Sequence, residues 1–198
     1  MKNILLIAFA IIVAAGVGWG IYSLTQNKNA DIETGGPVDV TGPESNNAYI
    51  GDDFTIVPPP NWIETHLPGT LVSFQNSKET HPLNSAAAKI NFKSYIAVSF
   101  DNANGKTANE TAELIKQQTI NILPNISFSP ATDRLIDGQP AKFMEASISQ
   151  QNVNFKVMIV VALKGDKFFT ISYNTTAEKW TEYRNLFYST ADSFKFKY

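Results

Sequence analysis

The stretch Gln139–Thr176, QPAKFMEASISQQNVNFKVMIVVALKGDKFFTISYNTT, reads as three consecutive strands. They run from Ala141 to Ser149, from Val153 to Leu163 and from Phe168 to Asn174. In the second, Val153, Phe155, Val157, Ile159, Val161 and Leu163 share one parity, so they face one way on a pleated strand. The other face begins with Asn154 and Lys156 and goes on to Met158, Val160 and Ala162. The strand is therefore half solvated at its start and covered on both faces further on. Lys164-Gly165-Asp166-Lys167 supplies a hairpin connection in which Gly165 can take a positive φ.

Upstream, Arg134-Leu135-Ile136 reads as another strand, turned into this meander by Asp137-Gly138, and Ile126 to Phe128 begins one more. Thr107 to Leu123 is a helix with a capping box, Thr107-x-x-Glu110, ended by Pro124. Its apolar stripe is Ala108, Ala112, Ile115, Thr119 and Ile122. Ile90, Phe92, Ser94, Ile96, Val98 and Phe100 alternate with more polar neighbours, the pattern of a long half-buried strand closed by a turn at Asp101–Gly105. Downstream, Thr175-x-x-Glu178 reads as a second capping box. Trp180, Tyr183, Phe187, Ala191 and Phe194 stripe a final helix.

Nearer the N-terminus, Tyr49-Ile50 and Phe54–Val57 read as a hairpin around Gly51-Asp52-Asp53. Pro58-Pro59-Pro60 stops sheet pairing and presents Trp62 to the core, and Leu71 to Gln75 is a strand. Strands joined by hairpins, with one helix in the middle and one at the end, predict an α+β domain with a mainly antiparallel central sheet flanked by helices. Its expected extent is 49–198.

Ile4 to Leu24 is apolar apart from Ser23 and uncharged, long enough to span a bilayer and longer than a signal peptide needs. Residues 1–24 are expected to be a retained transmembrane signal anchor, with Trp19 and Tyr22 at the outer interface. Cleavage near Gly16, Gly18 or Gly20, giving a secreted product, is the alternative. Lys2 ahead of the span places the N-terminus in the cytoplasm and the domain on the extracytoplasmic side of the cytoplasmic membrane. Residues 25–48 are a Gly-, Asn- and Pro-rich flexible linker spanning roughly 25–30 Å.

Of 198 residues 43% are hydrophobic, ample for one core, and the net charge of −2 gives no basic footprint for nucleic acid. With no Cys, the chain has neither disulfides nor a thiolate nucleophile nor a lipidated cysteine. Neither an HExxH nor a GxSxG motif occurs. No cofactor, metal or catalytic residue is expected. Asp52-Asp53 and the pair Asp133 and Asp137 are explained by turn chemistry. The connection from Thr65 to Ala88, polar from Ser77 on, is the place for recognition. It carries His66 and His81, both read as surface or turn residues, and Leu67 and Leu83 as candidate exposed apolar contacts.

Phe54-Thr55-Ile56, then Pro60-Asn61-Trp62, then Gly138-Gln139-Pro140-Ala141 and a closing helix ending in Ser193-Phe194 resemble, in that order, the PsbP-like group of α/β/α sandwich domains. Among bacterial members the chain resembles the envelope-exposed, DcrB-like kind, although it lacks their lipoprotein cysteine. The resemblance implies a central antiparallel sheet with helices on both sides and a role in binding or assembly. Two functions follow. One is a membrane-tethered extracytoplasmic binding or scaffold module with a protein partner. The other is an enzyme with a site in the 63–88 loops, built on His66 or His81.

Overall fold

The computed structural model describes residues 48–197. The expected anchor and nearly all of the linker lie outside them. In chain order the elements are β1 (Tyr49–Ile50), β2 (Phe54–Ile56), β3 (Ile63–Thr65), β4 (Val72–Gln75), α1 (Ala86–Lys89), β5 (Tyr95–Asn102) and α2 (Ala108–Ile122). These are followed by β6 (Ser127–Phe128), β7 (Thr132–Ile136), β8 (Gln139–Gln150), β9 (Val153–Lys164), β10 (Lys167–Thr176), α3 (Trp180–Asp192) and β11 (Lys195–Phe196).

The meander β8-β9-β10 is the backbone of the large sheet, whose order is β3-β4-β5-β10-β9-β8-β6, with β7 also on β8. All pairings described are antiparallel. Tight turns set the register. Ile136 pairs with Gln139 around Asp137-Gly138, and Gln150 pairs with Val153 around Gln151-Asn152. All four turn residues have positive φ, the type I′ geometry whose twist suits a hairpin. Gly165, at φ 60°, starts the turn between Lys164 and Lys167.

Alternation then builds two cores, one on each face. Val98, Met158, Val160, Ile171 and Tyr173 pack under α3 and the small sheet β1-β2-β11. Ala97, Ile159, Val161 and Phe168 pack on the other face with α2 residues Ala112 and Ile115 and with Ala87 of α1. The result is helix, sheet, helix. Trp62 is 2% exposed and meets Tyr183 and Phe187 of α3 edge-on, at 5.8 and 6.1 Å. It is placed there by the turn in which its N–H donates to the Pro59 carbonyl.

Four sequence expectations are corrected. β5 starts at Tyr95, five residues after Ile90. Ile90 is instead the C-cap of α1, and Asn91 turns the chain at φ 47°. Nor is β5 half-buried, since Tyr95 and Ala97 enter one core while Ile96 and Val98 enter the other. The second capping box does not form, because Thr175 and Thr176 remain in β10, paired with Lys156 and Phe155. α3 starts only at Trp180, with Lys179 at its N-cap and no side-chain cap. Ile122, expected on the buried stripe of α2, is 40% exposed. The Thr107–Glu110 box of that helix forms with both of its reciprocal bonds.

Candidate functional site

Residues 76–94 leave the sheet at the end of β4 and return at the start of β5. The neck is closed by the Asn76 N–H donating to the Ser94 carbonyl at 2.9 Å. A turn follows, in which Glu79 N–H donates to the Asn76 carbonyl at 3.1 Å. It drives the Glu79 side chain inward, where the residue is 4% exposed.

A buried carboxylate needs donors. Glu79 receives the Ser94 backbone N–H, and its Oε1 lies 3.0 Å from the Ser94 hydroxyl. That hydroxyl is also 2.7 Å from Thr175 Oγ1 on β10. A carboxylate only accepts, so the single Ser94 proton goes to Glu79 and the Thr175 hydroxyl donates to Ser94. Lys93 Nζ donates to the Glu79 carbonyl. The Asn76 amide donates to the Tyr183 hydroxyl at 2.9 Å, tying the loop to α3. Burial, then the Glu79 charge, push the Tyr183 hydroxyl up to about 12, against the opposing pull of the Asn76 bond.

His81 is buried at its side chain, a correction to its reading as a surface histidine. Its Nε2 lies 3.0 Å from the Phe92 carbonyl and 3.8 Å from Glu79 Oε1. A carbonyl cannot donate, so Nε2 carries the proton of that bond. Ser85 then caps α1 by accepting from the Ala88 N–H at 3.1 Å. Between these two fixed points stands Leu83, 93% exposed.

The four residues singled out in the sequence do not form one site. β3 turns back into β4 with Thr65 opposite Ser73, so His66 and Leu67 lie at the Val72 end of β4. His81 and Leu83 follow its Gln75 end. About 10 Å of strand separates the two groups at 3.4 Å per residue. His66 is exposed, and Leu67 is half-buried against the core under α2. The acidic turn residues are occupied by cations of the fold: Asp53 by Lys167, Asp133 by Lys142 and Asp137 by Lys195. Among the described residues no three His, Asp or Glu side chains converge as metal ligands. Sequence reasoning missed Glu79. The signal for it was Ser94, a polar residue on the apolar parity of Ile90, Phe92, Ile96 and Val98.

This architecture, a long antiparallel meander clasped by a helix on each face and closed by a small second sheet, is that of the α/β/α sandwich proteins. The PsbP family model matches residues 45–196, and the chain belongs to that family. Among solved structures, cyanobacterial PsbP (CyanoP) from Synechocystis sp. PCC 6803 is similar with a TM-score of 0.59 and 18% identity, over 82% of this chain and 98% of that one. LpqN, involved in cell envelope biogenesis of Mycobacterium tuberculosis, is similar with a TM-score of 0.57 and 10% identity, over 73% of this chain and 83% of that one. At such identities the likeness is one of fold. No curated protein matches the chain by sequence.

Proposed function

We propose that the chain is a non-catalytic binding or scaffold module, anchored through Ile4–Leu24 and carrying its domain on the extracytoplasmic side of a bacterial cytoplasmic membrane. Membership of the PsbP family supports a module of this kind. The involvement of LpqN, a relative in fold, in cell envelope biogenesis accords with the location. The observation that carries the binding role is the loop itself. Its base is locked by a buried carboxylate while its tip holds a leucine in solvent, so little ordering entropy is lost when a protein partner covers that tip. An enzyme built on His81 is disfavoured by the burial of that side chain and its bond to the Phe92 carbonyl.

A photo-crosslinking amino acid at position 83 tests the surface, with the exposed position 178 as control. One recurrent crosslinked protein at 83 and none at 178 is expected, and equal labelling at both overturns the loop as the contact. Carbonate extraction of membranes tests the anchor. The protein is expected to stay in the pellet, and release of a product beginning at or after Gly16 overturns it.

A further inference from the structure

The connection from β5 to α2 contains Asn104-Gly105, both exposed and both at positive φ, 51° and 73°. An asparagine followed by glycine is open to attack by its own backbone, because no Cβ on the next residue blocks the approach. The two groups that must meet are both held. The Gly105 N–H donates to Asp166 Oδ1 at 3.0 Å, and Asn104 Nδ2 donates to the Asn102 carbonyl at 3.1 Å. Asp166 also accepts the Ala103 N–H on its own carbonyl at 2.6 Å, so the β9–β10 turn grips this connection twice.

We propose that Asn104 is a self-modification site, converting to aspartate and isoaspartate, and that the Asp166 carboxylate is the latch that restrains it. In the reaction the Gly105 nitrogen loses its proton to solvent base and bonds to Asn104 Cγ. The Cγ–Nδ2 bond breaks, and Nδ2 takes up a proton and leaves as ammonia. Water then opens the resulting succinimide. Cleavage at the side-chain carbonyl gives aspartate, and cleavage at the main-chain carbonyl gives isoaspartate. No electrons are exchanged. Closing the ring requires the Gly105 nitrogen to leave Asp166. Isoaspartate places an extra carbon in the main chain three residues before Thr107, the N-cap of α2.

The test is peptide mapping by mass spectrometry of the full chain in detergent, incubated at mildly alkaline pH, with isoaspartate resolved from aspartate. Asp166→Ala is expected to convert Asn104 about fivefold faster than the wild type, the factor opened by losing one ordinary hydrogen bond. Asp166→Asn keeps an acceptor oxygen and is expected to match the wild type. Circular dichroism confirms that each variant is folded. Asp166→Ser, too short to reach Gly105, is the second variant held to the same result should the alanine variant not fold. Equal rates in the wild type and the folded latchless variant overturn the proposal. So does conversion at Asn104 no faster than at Asn84 in that variant.

Discussion

Glu79 and Ser94 are joined by two bonds at once, the Ser94 N–H and the Ser94 hydroxyl both donating to one carboxylate. Glu79→Ala leaves the buried N–H without its partner and breaks the chain to Thr175. The expected cost is roughly 2–4 kcal/mol by denaturant unfolding. Glu79→Gln keeps one acceptor oxygen and is expected to cost less. Amide exchange from 77 to 93 should speed up in both variants. An alanine variant as stable as the wild type would show that the carboxylate is not the anchor of the loop.

Trp62 is enclosed by the α3 aromatics. Trp62→Ala is expected to cost about 3–5 kcal/mol. An unchanged denaturant midpoint would place the indole outside the core.

The two helices respond differently at their starts. Thr107 caps α2 with its side chain, and Thr107→Ala is expected to cost about 1 kcal/mol. α3 has no side-chain cap, and Glu178 is exposed beyond its N-cap. Glu178→Ala is therefore expected to change stability by less than about 0.5 kcal/mol. Equal losses in the two variants would contradict this contrast.

Burial raises both Tyr183 and Tyr173, the latter well above its ordinary value. The folded chain thus holds these phenolic protons more tightly than the unfolded chain, whose tyrosines titrate near about 10. Stability from them is whole below about pH 10 and declines as pH rises through the folded value, about 12 for Tyr183. Tyr183→Phe should flatten that alkaline decline, measured as Tm against pH. At neutral pH it should lose about 1 kcal/mol with the Asn76 bond. Tyr173 is different, because its hydroxyl meets no hydrogen-bond partner among the described residues. Tyr173→Phe should flatten the same decline while leaving neutral-pH stability unchanged or raised. A large loss at neutral pH would reveal a bond to that hydroxyl.

Much of the sheet was legible because its information is local. The parity of Val153 to Leu163 and the Asp137-Gly138 turn specify strand, face and register within a few residues. β3, β11 and α1 were not legible. Elements this short have too few residues to show a periodicity, and β11 exists only through a distant partner, Phe196 opposite Phe54. The false capping box shows the reverse case. Thr175-x-x-Glu178 fits a local rule, but β10 claims Thr175 for its ladder and Ser94 claims its hydroxyl. The loop was legible as a long polar connection. Its organisation was not, because a glutamate reads as solvated until its donors, 15 residues away at Ser94, come into view.

The pairing of β2 with β11 has a kinetic consequence. Phe54 and Ile56 sit in the same core as Phe194 and Phe196, at the far end of the described chain. A chain delivered from its N-terminus, by a ribosome or through a translocation pore, presents β1 and β2 long before their third strand exists. Phe54 lacks its stacked partner Phe194 and its strand partner Phe196 until the C-terminal residues emerge, so this core cannot be completed earlier. A closure between strands this far apart in sequence is expected among the late steps of folding, because its loop-closure entropy is opposed before its contacts form.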